Sequence, residues 1–171
     1  MMKIILIPLI IILMLSVGSC GEINTGDSGN TGNTGDTGDN FPNEHDGLNW
    51  SDASSDSMPW DEAITYCENL GGRLPTISEL RTLIQNCPGS ETGGECKVAD
   101  DCLSFEGCYS DQCNGCEKTN SGKYSVFGDT YWFSSSSETS EYTDFAWHVS
   151  FNGGQVGNSG KNSSFYVRCV Q

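Results

Sequence analysis

The sequence predicts an α+β fold in which two helices pack on small antiparallel sheets and a disulfide-rich loop is inserted between them. Two segments with helical spacing of apolar residues follow each other closely near position 70. Short aromatic-rich segments of strand character fill the C-terminal part, and six cysteines cluster between these two regions. The part of the chain that bears these signals, about 125 residues, is the size of one ordinary domain.

Residues 1–19 have the pattern of a signal peptide. Lys3 precedes an apolar run over residues 4–17 that is too short to span a bilayer as a helix. The small residues before Cys20 resemble a bacterial lipobox, in which the cysteine is lipidated and becomes the new N-terminus. The chain has nine cysteines, an odd number, and lipidation of Cys20 removes one from disulfide pairing. We therefore expect a lipoprotein that attaches to the membrane through Cys20.

Residues 20–47 are expected to form the lipidated N-terminus and a flexible linker. Glycine recurs at every third position from 26 to 38, and the stretch has no apolar residue to bury. The folded domain is predicted to span residues 48–171, with a loop insertion at about 88–128. Because Gly21 follows the lipidated cysteine and supplies no retention signal of the Asp type, we expect placement in the outer membrane or at the cell surface.

The charge of the chain is strongly negative. It has 8 basic and 23 acidic residues, and the loss of Lys3 with the signal peptide leaves a formal charge of 7 − 23 = −16. Such a surface repels polyanions. Nucleic acid and heparin-like polysaccharides are therefore not expected as partners.

The two helices are predicted from residue spacing and end signals. Residues 48–51 form a short strand candidate, and the first helix should span about 61–70 with an apolar inner face and two glycines at its end. The second helix should begin at Thr76, which forms a capping box with Glu79. The inward residues of the first helix are Ala63, Ile64, Cys67 and Leu70, and those of the second are Ile77, Leu80, Leu83 and Ile84.

The C-terminal part should form antiparallel strands at residues 131–133, 146–151 and 165–170, with a turn at 152–154. Alternation places Trp147, Val149 and Phe151 on the inner face and His148 toward solvent or toward the insertion. Trp60, Trp132 and Trp147 are expected in the core, because they lie within helix and strand motifs. The six insertion cysteines allow 15 pairings, which spacing does not resolve, and they are Cys87, Cys96, Cys102, Cys108, Cys113 and Cys116.

An ordered set of motifs resembles one known family, the domain at the C-terminus of the Legionella collagen-like adhesin. Related domains, many of unknown function, occur in bacterial lipoproteins. The resemblance implies a C-type-lectin-like fold with neighbouring termini, and it implies a disulfide between Cys67 of the first helix and Cys169 of the last strand. The motifs are Trp60-x2-Ala63-x2-Tyr66-Cys67-x2-Leu70-Gly-Gly-Arg73-Leu74-Pro75-Thr76-x2-Glu79-Leu80, Tyr131-Trp132-x-Ser134-Ser135, Ala146-Trp147 and Val167-Arg168-Cys169-Val170.

Two classes of ligand that are associated with this fold are not expected to bind this protein. The calcium-binding Glu-Pro-Asn, Gln-Pro-Asp and Trp-Asn-Asp motifs of sugar-binding C-type lectins are absent, so neither a metal nor another cofactor is expected. The adhesin domain is associated with sulfated polysaccharides, which need a basic surface. Residues 48–171 carry 7 basic and 17 acidic residues.

The alternative enzymatic interpretation is a formylglycine-generating oxidase, whose family shares the pattern Tyr-Cys-x2-Leu-Gly-x-Arg-Leu-Pro-Thr. That chemistry needs reactive thiols before the final strand, and residues 131–168 contain no cysteine. Cys108 and Cys113 have the spacing of a thiol pair but lie among structural cysteines. The two histidines, His45 and His148, do not form a nucleophile–base pattern in the sequence. No catalytic residues are predicted.

The sequence therefore favours a noncatalytic binding or adhesion domain presented at the cell surface. A structural envelope protein without a diffusible ligand is the alternative. A carbohydrate or a surface protein is the expected partner. The candidate contacts lie in a polar loop at 135–144, on the strand after it and in the following turn, together with exposed parts of the insertion, and they are Ser135, Ser136, Ser137, Tyr142, Asp144, His148, Asn152 and Gln155.

Overall fold

The structure, a computed structural model, describes residues 40–171, and the predicted signal peptide, Cys20 and the glycine-rich stretch lie outside them. The described part opens with an antiparallel hairpin of β1 (Asn43–His45) and β2 (Leu48–Trp50). Asp46 and Gly47 join the strands with φ of 52° and 77°, values typical of a tight hairpin turn. The folded domain thus begins before Leu48, and the Asp-Gly pair is the signal for this first strand.

Two helices follow, α1 (Trp60–Asn69) and α2 (Ile77–Thr82). In α1, Ala63 and Cys67 are buried, and Gly71 ends the helix with a φ of 88°. The capping box at α2 is confirmed, since Glu79 N donates to Thr76 Oγ1 at 3.3 Å and Thr76 N donates to the Glu79 carboxylate at 2.8 Å. The four predicted inward residues of α2 and its C-terminal end are all buried.

A three-stranded antiparallel sheet of β3 (Trp132–Glu138), β4 (Phe145–Ser150) and β5 (Gln155–Gly160) has the order β3-β4-β5. β3 continues through residues 135–138, which the sequence analysis assigned to a loop, with a register shift between Ser134 and Glu138. β5 was not predicted, because its sequence lacks an alternation of apolar residues. The prediction of a mainly antiparallel α+β fold is confirmed.

The predicted last strand at residues 165–170 does not form a regular ladder. Its residues instead make single bridges to different elements, Phe165 to Met58, Tyr166 to Phe133 and Val170 to Trp50. The chain end also pairs with β2, since Gln171 N donates to the carbonyl of Asn49 at 2.9 Å. The segment crosses several elements in turn and so stays beside none of them long enough for strand pairing.

The core consists of two clusters, and each of them contains at least one disulfide. The larger one lies between α2 and the sheet, and the smaller one holds α1 against the C-terminal segment. Cys67 and Cys169 are bonded within the smaller cluster, the pairing that the family resemblance implies. They are 102 residues apart, and such a closed loop contributes about 4 to 5 kcal/mol in the chain-entropy view.

The insertion is irregular apart from α3 (Phe105–Cys108) and a short 3-10 helix (Asp111–Asn114). Its three disulfides are Cys87–Cys116, Cys96–Cys113 and Cys102–Cys108. The buried guanidinium of Arg81 in α2 also holds it, donating to several carbonyls of the insertion, and burial lowers the pKa of this group. These acceptors are the carbonyls of Ser90, Glu91, Cys96 and Val98.

Candidate functional site

β5 lies at the edge of the three-stranded sheet, beside β4. Lys161 N donates to the Asp144 carbonyl at 2.9 Å, so Asp144 and Lys161 form a hydrogen-bonded pair that continues the β4–β5 ladder. Because hydrogen-bonded and non-hydrogen-bonded pairs alternate, Val156 and Asn158 turn their N–H and C=O groups away from β4. Within residues 40–171, these groups have no backbone partner, but Val156 is only 1% exposed, and the outward carbonyl of Gly160 accepts from Ser163 N at 2.8 Å.

A groove of about 320 Å³ runs along this edge, and we call it the β5 groove. Residues 155–159 form its floor, Trp132 and His148 form one wall, and Phe105 and Tyr109 form the other. The rings of Trp132 and Phe105 are 38% and 41% exposed. Two aromatic walls therefore flank β5 from the two faces of the sheet.

His148 forms the wall on the Trp132 side and is only 3% exposed. Its ring lies edge-on to Trp132 with centroids 4.8 Å apart, and its Nε2 is 3.1 Å from the Ser159 hydroxyl. Burial lowers the pKa of His148 to about 4, against weaker opposing contacts with the backbone of Asn158 and of His148 itself. The ring is thus neutral at physiological pH and serves as a polar aromatic surface.

The opposite wall is α3, which three contacts hold in place. Phe105 and Tyr109 stack with centroids 4.9 Å apart, and both rings face Trp147 of the core. The carboxylate of Glu141, in the loop after β3, accepts hydrogen bonds from the Ser104 hydroxyl and from Phe105 N. These bonds, the Ser104 one first, lower the pKa of Glu141 to about 2. The Cys102–Cys108 disulfide closes the same turn.

The β4–β5 hairpin carries buried polar atoms without a hydrogen-bond partner in the described part of the chain. They are His148 Nδ1, Ser150 Oγ, Asn152 Oδ1 and Gln155 Oε1. Buried polar atoms normally have partners, because an unpaired one costs about 1 to 3 kcal/mol. Two of the four, in His148 and Gln155, belong to residues that line the β5 groove, but the atoms themselves are buried.

The charged groups around the groove are acidic. Glu106 and Asp111 are exposed beside the α3 wall, and Asp111 contributes, after burial, to the raised pKa of Tyr109. The groove lining contains neither lysine nor arginine. Lys161, near its end, is already paired with Glu138 at 2.9 Å and lies over Trp60 at 3.9 Å. The groove therefore favours neutral or cationic ligands over anions.

Three of the predicted contact residues are structural. Ser135 is fully buried and donates to the Trp147 carbonyl at 2.7 Å. Ser136 donates to the Pro75 carbonyl at 3.2 Å, and the buried Ser137 accepts from Ile77 N at 2.9 Å. Ser136 and Ser137 thus tie β3 to the start of α2, and Ser135 ties it to β4, so all three hydroxyls are engaged within the domain.

The other predicted contacts divide between the groove and its surroundings. Gln155 and His148 line it, and His148, which was predicted to point toward solvent or toward the insertion, is buried. Tyr142 is exposed beside Phe105, in an adjoining depression that also includes Asn158. Asp144 is exposed at the end of the β3–β4 loop, and Asn152 Nδ2 donates to Asn120 Oδ1 at 2.8 Å. The site thus includes part of the predicted set.

Trp132 was expected in the core, but it lies on the face of the sheet opposite to Phe133 and is 38% exposed. Alternation contained this signal, because the neighbouring Phe133 is buried and adjacent strand residues point to opposite faces. Trp147 is fully buried as predicted, whereas Trp60 is half-buried. Phe105, Tyr109 and Asn158 were not named, because no local pattern brings α3 next to β5.

The thiols and histidines of the described residues are engaged. Cys108 and Cys113, the candidate thiol pair, belong to two different disulfides. His45 Nε2 is 3.0 Å from the Thr82 carbonyl. Within residues 40–171, no group of three His, Cys, Asp or Glu side chains is arranged to hold a metal, and no helix is long and apolar enough to cross a membrane.

Comparison with known proteins gives one match. Residues 41–171 match the family model of the Lcl C-terminal domain. No curated protein and no solved structure matches the chain.

Proposed function

Because residues 41–171 place this chain in the Lcl C-terminal domain family, we propose that it is a noncatalytic adhesion module that holds its ligand in the β5 groove. Membership of this family indicates an adhesin-like domain. The β5 groove is the surface of that domain where we expect the ligand to bind.

The observation that carries this proposal is the exposure of Trp132 and Phe105 on opposite walls of the β5 groove. Large aromatic side chains that stay exposed at a concave surface are typical of binding sites, since they supply apolar contact area at low conformational cost.

The charge pattern supports a neutral or cationic ligand on a surface protein or a carbohydrate. Residues 48–171 carry 7 basic and 17 acidic residues, and the groove walls hold no free cation. A heparin-like ligand does not fit such a surface. The noncatalytic assignment is supported by the eight cysteines of the described part, which all lie in disulfides and leave no thiolate for an oxidase.

The proposed location is the cell envelope, with the domain held at the outer membrane or cell surface through a lipid on Cys20. The lipobox-like residues before Cys20 support this anchor, and residues 21–39 would serve as the tether. Metabolic labelling with a palmitate analogue tests the anchor directly. The label is expected on the wild-type chain and absent from Cys20→Ser.

The function is tested by screening the oxidised protein on glycan and extracellular-matrix arrays. Trp132→Ser and Phe105→Ser each remove one groove wall, and they should lower retention at least tenfold. Tyr131→Ser is the matched control. Tyr131 directly precedes Trp132 in the chain and is 57% exposed, but it does not line the groove. Retention that survives both wall variants, or no retention of the wild-type protein on any array, contradicts the proposal.

A further inference from the structure

We propose that the β5 groove and the depression beside it form one site for an uncharged oligosaccharide, which stacks on exposed aromatic rings and bonds to the carboxamide of Asn158. This inference rests on the proposed function and specifies the class of ligand that the groove takes. It follows from the shape of this surface, from the lack of charge in its lining and from the position of one asparagine.

The β5 groove continues into the depression beside it. The groove has a volume of about 320 Å³ and the depression about 250 Å³, and Phe105 and Asn158 line both of them. Tyr142 and Phe145 complete the lining of the depression. We call the two together the joined groove. Its size falls within the range of small-molecule sites, roughly 300 to 1,000 Å³, so it can hold a short chain of sugar units.

Exposed aromatic rings line the joined groove. Of the four large hydrophobic residues that stay exposed within residues 40–171, three line it, and they are Trp132, Phe105 and Tyr142. Glu141, the neighbour of Tyr142, accepts a hydrogen bond from Phe105 N at 3.0 Å, so two of the three rings are held by one contact. A sugar ring packs its C–H surface on an aromatic face and keeps its hydroxyls free for hydrogen bonds. Several rings along one groove therefore suit an oligosaccharide better than a single sugar.

The lining of the joined groove carries no charged side chain. His148 is neutral there at physiological pH, because burial lowers its pKa to about 4. A charged group of a ligand would lose water on entering and would find no ion of opposite sign, which is costly. Glu106 and Asp111 are exposed close by without lining the groove, and they repel sulfate and carboxylate groups. An uncharged ligand is therefore favoured.

The carboxamide of Asn158 supplies directional contacts. Asn158 pairs with Trp147 in the β4–β5 ladder, so its side chain lies on the face of the sheet where Phe105 packs. The carboxamide makes no hydrogen bond within the described residues, and it lines both parts of the joined groove. An amide side chain offers two donors and an acceptor oxygen, which match the neighbouring hydroxyls of a sugar. A purely apolar ligand would leave these groups unused.

The backbone of β5 does not favour a peptide strand as the occupant. Val156 is 1% exposed, and the Gly160 carbonyl already accepts from Ser163 N at 2.8 Å. Strand addition needs a continuous row of free N–H and C=O groups. The joined groove instead offers rings and one carboxamide, and these are side-chain contacts that a sugar can use.

The test measures binding of the oxidised full chain to immobilised short oligosaccharides. One set contains neutral hexoses and N-acetylhexosamines, and a second set contains the same sugars carrying sulfate or carboxylate groups. We expect at least one neutral oligosaccharide to bind about tenfold more tightly than its charged counterparts. Because no ion takes part, its affinity should be the same in low and high salt and with or without a calcium chelator. A preference for the charged set, or binding that the chelator abolishes, overturns the proposal.

Paired variants locate the bound sugar. Tyr142→Ser should weaken binding by about tenfold, whereas Tyr142→Phe, which keeps the ring, should retain it. Asn158→Ala should weaken binding by a similar factor, and Asn162→Ala is its control, because Asn162 is exposed and lies outside the joined groove. In the wild-type protein, the side-chain amide NMR signals of Asn158 should shift when the sugar binds. Unchanged affinity in both Tyr142→Ser and Asn158→Ala, or unshifted signals at saturation, overturns the proposal.

Removal of glycans separates this inference from the proposed function. Extracellular-matrix proteins are offered to the same protein before and after enzymatic deglycosylation. Retention that is lost with the glycans supports the sugar ligand. Retention that survives deglycosylation, and that Trp132→Ser abolishes, overturns the sugar ligand and leaves the adhesion module in place. Absence of binding to every sugar and every matrix protein contradicts both proposals.

Discussion

His148 lies directly over Gly157 across the β4–β5 ladder, so that a Cβ atom at position 157 would come within 2.9 Å of His148 Cε1. This relationship gives the groove its shape. The histidine ring occupies the space that a side chain on β5 would fill, and it thereby reaches the edge of the strand. Glycine is required here for close approach, since no positive φ is involved.

Gly157→Ala should therefore destabilise the domain by about 1 to 3 kcal/mol, the usual cost of overpacking a filled site. Gly160→Ala on the same strand is the control, because the nearest atom there is the side-chain oxygen of exposed Asn162, which can move. Urea unfolding measures both. In the background of His148→Ala the cost at position 157 should largely disappear, and an unchanged cost would show that the histidine is not the obstacle.

Stability should fall as the pH is lowered through the titration of His148. Its pKa is lowered by burial from 6.5 to about 4, so the unfolded chain binds more protons than the folded chain between these values. The protein should lose about 2 to 3 kcal/mol between pH 7.5 and pH 4.5 from this group alone. The lowered pKa of Glu79 adds acid sensitivity at lower pH, because its ordinary value is 4.5.

Denaturant unfolding at a series of pH values measures this slope. His148→Gln should flatten the slope above pH 4.5, whereas His45→Gln, which changes the other histidine of the domain, should leave it in place. An equal slope in wild type and His148→Gln would mean that the histidine does not titrate below its ordinary range.

Arg81 should be essential for the order of the insertion. Arg81→Met keeps the side-chain volume but leaves four buried or half-buried carbonyls without their donor. The expected loss is about 3 kcal/mol or more, since each unpaired buried group costs about 1 to 3 kcal/mol. Thermal unfolding and protease cleavage within residues 88–128 report it. Arg73→Met removes an exposed arginine and should cost less than about 1 kcal/mol; equal losses would refute the role of Arg81.

Loss of the buried ion pair between Arg168 and Asp129 should lower the free energy of unfolding more than loss of the exposed pair between Arg73 and Glu79. Arg168 Nε and Asp129 Oδ2 are 2.8 Å apart, and the side chains are 7% and 8% exposed. Asp129→Asn strands a buried guanidinium and should cost about 3 to 5 kcal/mol. Replacing both partners, with Arg168→Met and Asp129→Leu, should recover part of this loss. Chemical denaturation of the wild type, Asp129→Asn and the double variant measures these losses. A double variant as unstable as Asp129→Asn would contradict this prediction.

Local rules predicted the helical half of the domain. Helical spacing located the buried faces of both helices, and the Thr76–Glu79 capping box has a strictly local cause, so it appears in the structure as expected. Hairpin residues also carry a local signal, which was available at Asp46-Gly47. These features depend on residues a few positions apart.

The remaining features depend on tertiary contacts. Ser135, Ser136 and Ser137 have the composition of a loop, but Trp147, Pro75 and Ile77 supply hydrogen-bond partners, so that Ser135 and Ser137 are buried and Ser136 is half-buried. The pairing of the insertion cysteines follows a loop path that Arg81 helps to fix. The β5 groove forms because α3, β3 and β5 lie next to one another in the fold. No local sequence pattern predicts that these three elements are close in space.

The central claim is that the β5 groove, and no other surface of the domain, holds the adhesive ligand. Beads coated with the oxidised protein are allowed to settle on immobilised extracellular matrix, and the force that detaches them is measured for wild type, Trp132→Ser and Tyr131→Ser. We predict that Trp132→Ser loses most of the adhesion and that Tyr131→Ser keeps it. Equal detachment forces for wild type and Trp132→Ser, with both proteins folded, would contradict the claim.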